Sequence, residues 1–232
     1  MSLVTTIVTA IICYIIGSIP FGLIIVKITT GKDVRQVASG RTGGTNVMRA
    51  AGLLAGIATA ILDVMKGVAS GWIAEWLAPG DPWLKVLGAI FALWGAIHSI
   101  FLVEKDENGR LRFRGGAGGA TGLGGAIALW NPSAFIIVPI GALIYVFVGY
   151  ASVTTISVAV SALVIFVIRA FLDNQPFQYI AFGAAALLIV LYALRPNLKR
   201  LKAGTERMVG FRVYLKKKQQ EFRRKKQKQF NP

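Results

Sequence analysis

The chain has 232 residues, 55% of them hydrophobic, and a formal net charge of +16. Its mean hydropathy of +0.62 is too high for a soluble domain of this length, which must cover itself with polar surface, whereas a lipid-facing bundle need not. The charge is concentrated in loops and tail, which suits anionic headgroups or a phosphate-bearing substrate and argues against nucleic acid as a partner. Cys13 is the only cysteine, so an intrachain disulfide and a cysteine-based metal site are both excluded.

A spanning helix needs about 20 mostly apolar residues. Leu3 to Val26 is the first such run; it lacks the basic start and clear cleavage site of a signal peptide, so it reads as a retained helix. Leu53 to Leu77 is the second, although it contains Asp63 and Lys66, and Leu84 to Val103 is the third. Gly118 to Leu129 is a short, glycine-rich fourth; Ser133 to Tyr150, Val153 to Phe171 and Tyr179 to Leu194 follow. Backbone polar groups in lipid must be satisfied internally, so these runs are expected as helices and open strands are not.

Lysine and arginine set the orientation. Lys27, Lys32, Arg35, Arg41 and Arg49 lie between the first two runs, and Lys105, Arg110, Arg112 and Arg114 lie between the third and fourth. The alternate loops, Ala78 to Trp83, Trp130 to Pro132 and Leu172 to Gln178, are poor in both residues, and the tail is densely basic. The positive-inside rule then predicts an all-α integral membrane protein with seven transmembrane helices, an outside N-terminus and a cytoplasmic C-terminus. One bundle uses residues 1–206, and residues 207–232 form a basic cytoplasmic tail suited to anionic headgroups.

Two loops carry the chemistry. Ala38 to Arg49 mixes Gly40, Gly43 and Gly44 with Ser39, Thr42, Thr45, Asn46, Arg41 and Arg49. Glycine lets backbone N–H groups approach a phosphate, hydroxyls and an amide add donors, arginines add charge, and the loop runs into a helix N-terminus. A flexible cytoplasmic connector is the plain alternative. The second loop, Phe113 to Gly125, again leads into a helix. Arg114, Gly115, Gly116 and the residues to Thr121 read as an anion site, and Gly122 to Gly125 as close helix packing.

Other polar residues are more isolated. His98 is the only histidine and suits a structural position better than a metal site. Asp63 and Lys66 are nearly one helical turn apart at membrane depth; they form either a mutual ion pair or a device orienting the substrate loops. Ser152, just after Gly149-Tyr150, reads as a helix cap or a ligand.

Taken in order, these residues resemble the bacterial acyl-phosphate:glycerol-3-phosphate acyltransferases, a family of seven-helix membrane enzymes. The similar segments are Gly17-Ser18-Ile19-Pro20-Phe21-Gly22, Asp33-Val34-Arg35 with Ser39-Gly40 and Thr45 to Arg49, and Asp63 with Lys66-Gly67. His98 with Phe113 to Gly116 and Ala120-Thr121, Gly149 to Ser152, and Arg195 to Glu206 complete the set. The resemblance implies acyl transfer from acyl phosphate to glycerol 3-phosphate, giving lysophosphatidic acid for phospholipid synthesis in a bacterial cell membrane, with no cofactor and no metal. It implies that Ser39, Gly40, Gly43, Thr45 and Asn46 hold the acyl-phosphate head. Arg49, Ser152 and Asn197 would act on glycerol 3-phosphate, and His98 would support the loop.

The chain departs from the pattern at four residues and by one insertion. Ala117 stands where the family carries lysine, Leu194 where it carries histidine, and Arg41 and Gly44 where it usually carries asparagine and alanine. Glu104 to Leu111 lengthens the third loop. Losing a cation beside a phosphate costs on the order of 3 kcal/mol, about a hundredfold in rate, for which Arg41 or Arg114 would have to compensate. The alternatives to an active enzyme are a homologue that binds phosphate ligands or lipid without turnover, and a small transporter of anionic metabolites.

Overall fold

The structure, a computed structural model, describes residues 2–106, 108–172, 176–213 and 218–219. Each predicted run is largely helical, but the first is broken and the third stops at Ile97, where a 3₁₀ turn at Ile100–Leu102 and a strand from Val103 follow. Helix α1 (Leu3–Ser18) ends at Ile19-Pro20 and α2 (Phe21–Thr30) restarts after it. Proline lacks a backbone donor and disfavours a helical residue before it, which favours a break at Ile19-Pro20 within the run from Leu3 to Val26. The loop after α2 holds two short helical elements that hydropathy did not reveal: a 3₁₀ turn at Val34–Gln36 capped by Asp33, and α3 (Gly44–Ala51).

The long helices follow. They are α4 (Leu53–Leu77) and α5 (Pro82–Ile97), the latter capped by the Asp81 carboxylate, which accepts from the Leu84 N–H. The predicted insertion is a β-hairpin, β1 (Val103–Lys105) against β2 (Leu111–Phe113). This corrects the all-helical expectation. Outside lipid, an Asp106 side chain accepting from the Asn108 and Arg110 N–H groups, with Gly109 at φ 74°, closes a tight turn between two alternating segments.

Helix α6 (Gly119–Leu129) and α7 (Ser133–Leu143) are short, and α7 runs into a π-helical turn at Ile144–Val148 that stops at Gly149, φ 72°. Helix α8 (Ala151–Leu172) and α9 (Gln178–Ala193) close the bundle, and α10 (Arg195–Lys202) leaves α9 at 63°. Among the described residues, four helical spans are long and apolar enough to cross a membrane alone, namely 3–30 with its break, α4, 82–102 and α8; the bent α9–α10 pair, taken as one span, makes a fifth.

The bundle packs α4 along α6, α1 along α5 and α8 along α9. Glycines set the closest approach: a Cβ on Gly67 would lie 2.5 Å from the Gly125 nitrogen, and one on Gly124 would overlap the Val64 carbonyl. Small residues at both faces let the backbones meet. The central core joins Leu93, Ala126, Ile137, Ile165, Phe166 and Phe182, while outward residues such as Leu54 (82% exposed) and Phe135 (84%) stand bare, as lipid-facing side chains do.

The folded body continues past the boundary expected at Glu206. Met208 bridges Tyr150, the Val209 N–H donates to the Gly149 carbonyl at 2.9 Å, and the Arg212 guanidinium lies over the Tyr150 ring. The basic clusters Lys216-Lys217 and Arg223 to Lys226, expected at headgroups, lie outside the described residues.

Candidate active site

The two glycine-rich loops, the π-helical turn, the start of α8 and the first turn of α10 converge on a cavity of about 370 Å³. The first loop is shaped by Asn46. Its buried amide donates to the carbonyls of Val34 (3.1 Å), Val37 (3.0 Å) and Arg41 (2.8 Å), and its oxygen accepts from the Ser39 N–H (3.3 Å). Asn46 therefore spends its hydrogen bonds on the loop itself. Asn46→Ala is expected to lower stability by about 2–3 kcal/mol, because several backbone groups lose their partner. The check is the temperature at which Cys13, the lone and buried cysteine, reacts with a maleimide dye.

Behind that loop stands an ion-pair cluster. Arg35 bonds Asp33 at 2.6 Å and Glu104 at 2.8 Å, and Glu104 in turn holds Arg114 at 2.6 Å. The Arg35 guanidinium holds the Asp33 carboxyl below its ordinary range. The inserted hairpin is thus tied to the first loop through Glu104, and Arg114 is committed to a carboxylate away from the cavity. Gly40 turns the chain at φ 69°, where a side chain would be strained and a Cβ would come within 3.0 Å of the Arg35 carbonyl.

Of the residues expected at the site, Ser39, Arg41, Gly43, Thr45, Asn46, Arg49, Gly116, Ser152 and Asn197 line the cavity, and Gly40, Arg114, Gly115 and His98 do not. Gly115 packs against the last turn of α5. The His98 ring stacks on Trp94 at 4.3 Å, and its carbonyl accepts from the Tyr14 hydroxyl at 2.9 Å. Its neighbour Ser99 makes the link to the second loop, since the Ser99 N–H donates to the Arg114 carbonyl (3.0 Å) and its hydroxyl donates to the Ser18 carbonyl (2.5 Å).

Several cavity residues were not singled out from the sequence. Ser18 (1% exposed) joins Ser152 (2% exposed) as a buried hydroxyl without a hydrogen-bond partner among the described residues. Tyr145 lines the cavity from the π-helical turn. Glu206 also lines the cavity, its carboxylate accepting from the Asn197 amide (2.8 Å) and Arg200 (3.0 Å). The family-like Gly17 to Gly22 segment with its proline could have flagged Ser18, and the π turn marks Tyr145, since such irregularities cluster at functional positions. Lys66 forms the mutual ion pair and holds the end of α1 rather than either glycine-rich loop. It pairs with Asp63 at 2.8 Å and also donates to the carbonyls of Gly17 and Ile19, both at 3.0 Å, at the broken end of α1. Among the described residues no group of His, Cys, Asp and Glu could hold a metal ion.

Donors with few acceptors, cations and two helix N-termini around one cavity describe an anion site. The family model described as glycerol-3-phosphate acyltransferase matches residues 7–204. The chain belongs to that family. Among its relatives, "glycerol-3-phosphate acyltransferase 3" of Dehalococcoides mccartyi is 35% identical over 214 residues, covering 86% of this chain and 94% of that one. The glycerol-3-phosphate acyltransferase of Thermus thermophilus is 34% identical over 205 residues, covering 88% and 96%. The fold is similar to the crystal structure of PlsY (YgiH), an integral membrane glycerol 3-phosphate acyltransferase, in its glycerol 3-phosphate form. The TM-score is 0.76 at 29% identity, over 90% of this chain and 98% of that chain. The lysophosphatidic acid form of the same enzyme gives 0.73 at 28% identity, over 88% and 95%. The family match ends before the strap that crosses Tyr150.

Proposed function

We propose that this chain transfers an acyl group from acyl phosphate to the first hydroxyl of glycerol 3-phosphate, forming lysophosphatidic acid at the cytoplasmic face of a bacterial cell membrane. The observation that carries this reading is one shared cavity, in which glycine backbone, Ser18, Ser152, Arg41 and Arg49 meet an apolar wall of Leu53, Ile57 and Ala60. One end suits phosphate and the other an acyl chain.

The substrate oxygen bonds to the acyl carbonyl carbon, the bond from that carbon to the phosphate oxygen breaks, and the hydroxyl proton leaves with the phosphate. Acyl phosphate is already activated, so alignment and charge stabilisation supply the catalysis and no enzyme nucleophile is needed. The carboxylates lining the cavity are engaged, Asp63 by Lys66 and Glu206 by Asn197 and Arg200, which supports the departing phosphate as the proton's destination. The first loop, from Ser39 to Thr45, holds the donor's head, with Asn46 as its brace. Arg49 and Ser152 hold glycerol 3-phosphate, and Asn197 orients the groups between. Gly116 adds backbone beside Gly43, whereas Gly40, Gly115, Arg114 and His98 shape the walls.

Seven crossings with an outside N-terminus fit the distribution of side chains. The ends poor in lysine and arginine share aromatic residues, including Trp83 in edge contact with Phe177, Trp130 under Arg169, and exposed Trp72 and Trp76. Interfacial tryptophans mark the headgroup level. The composition of the basic tail, residues 207–232, suits anionic headgroups on the opposite face.

Purified protein in lipid nanodiscs, given palmitoyl phosphate and glycerol 3-phosphate, is expected to release phosphate and form lysophosphatidic acid only when both are present. Release at the level of spontaneous hydrolysis would reject the reading. Arg49→Ala is expected to raise the KM for glycerol 3-phosphate by about tenfold or more, since a charge-assisted bond to phosphate is lost.

A further inference from the structure

Arg49 lines the cavity and, among the described residues, reaches only the Met208 carbonyl at 3.5 Å, but Arg41 is the more deeply buried cation. Its guanidinium donates to the carbonyls of Gly116 (3.0 Å) and Ala193 (2.5 Å) and to the Asn197 side-chain oxygen (3.2 Å). Every one of those acceptors is neutral. Lys66, by contrast, has Asp63, and Glu206 is taken by Asn197 and Arg200. Burial and the nearby Arg200 both disfavour the Arg41 charge, and Glu206 offsets them only at longer range. A cation removed from water without a counter-ion is costly, and a charged ligand removes that cost.

The surroundings are those of a phosphate. Helix α3 begins at Gly44 after a Gly43 whose Cβ position is open, and α6 begins at Gly119; residues of both first turns line the cavity. Ser18 and Ser152 add buried hydroxyls that have no hydrogen-bond partner among the described residues. Arg41 also spans two apolar positions of the wall. It reaches the carbonyls of the residues just before Ala117 and just before Leu194, both of which line the cavity without a polar group.

We infer that Arg41 supplies the counter-charge for a phosphate bound between the two glycine loops, standing in for a cation at position 117. The inference rests on the acyl-transfer reading and adds the residue on which the phosphate charge falls. The same chemistry is presented by the donor's phosphate and by glycerol 3-phosphate. With the donor, the guanidinium strengthens its hold as negative charge collects on the departing phosphate, so the effect appears in kcat as well as KM.

The test compares the parent, Arg41→Ala, Arg41→Gln and the double variant Arg41→Ala/Ala117→Lys in nanodiscs. The readouts are kcat and KM for palmitoyl phosphate and for glycerol 3-phosphate, inhibition by inorganic phosphate, and the temperature at which Cys13 becomes reactive. Arg41→Ala is expected to lose about a hundredfold in kcat/KM, with phosphate inhibition weakened in parallel and at least about tenfold recovered by the lysine at 117. A loss confined to the donor assigns its phosphate to Arg41, and a loss confined to glycerol 3-phosphate assigns the other; either supports the inference. Activity within about threefold of the parent, or a loss in folded protein that the lysine does not restore, overturns it. Should Arg41→Ala fail to fold, Arg41→Gln decides, since it keeps donors and removes charge: parental activity overturns the inference and a folded, impaired protein supports it. A parent without turnover rejects the acyl-transfer reading alone. Protection of Cys13 by inorganic phosphate, present in the parent and absent in Arg41→Ala, still upholds the charge assignment, and equal protection or none overturns it.

Discussion

Lys66→Met is expected to lower stability by about 3–5 kcal/mol, because it leaves Asp63 buried without its partner. The ammonium also closes the broken end of α1 through the Gly17 and Ile19 carbonyls, and a thioether cannot replace those bonds. The double variant Asp63→Leu/Lys66→Met should recover much of the loss, since removing both charges removes the desolvation cost. The carbonyls would remain unpaired, so recovery should be incomplete. The temperature of Cys13 exposure reads both variants. Parental stability in Lys66→Met would show that the pair and the helix end do not depend on one another. Ser18 lies between the two carbonyls that Lys66 holds, so any variant that folds should also lose activity through the cavity wall.

Gly67→Val tests the other large constraint. A Cβ at Gly67 meets the Thr121 carbonyl, the Gly125 nitrogen at 2.5 Å and the Gly124 carbonyl carbon at 2.7 Å. Backbone atoms cannot rotate aside, so α4 and α6 must separate, and the cost is expected to reach about 3 kcal/mol or more. Because α6 starts at the second glycine loop, separation would also displace the residues from Gly116 to Thr121. Gly43→Ala is the contrast. Nothing lies within 4 Å of its Cβ position, so folding should be unaffected while the methyl group enters the cavity and impairs turnover. Equal thermal stability of Gly67→Val and the parent would refute the close crossing.

Much of this architecture is legible along the chain. The bounds of α4 coincide with the apolar run from Leu53 to Leu77, because length and hydropathy are local properties. The first glycine-rich loop is legible too, since its residue types state their chemistry without needing a partner. Other features are not. Helix α3 is short and polar, so no apolar run announces it. The hairpin depends on a turn closed by Asp106 and Gly109, inside a segment that reads only as charged. The chain beyond Glu206 reads as a basic tail suited to anionic headgroups, yet Met208 and Val209 pair with Tyr150 and Gly149.

The two arginines, alike as letters, show where the boundary falls. Arg41 and Arg114 both sit in glycine-rich loops and were equally suited to a phosphate. Arg114 is claimed by Glu104 of the hairpin, and Arg41 reaches acceptors 75, 152 and 156 positions away in the chain. By itself the sequence determined the helices, because a backbone in lipid must satisfy its own hydrogen bonds, and the family, because its motifs stand in order. Tertiary structure alone decided which cation faces the cavity, which hydroxyls are left unpartnered and where the first helix is held broken. Those outcomes depend on groups brought together from distant parts of the chain.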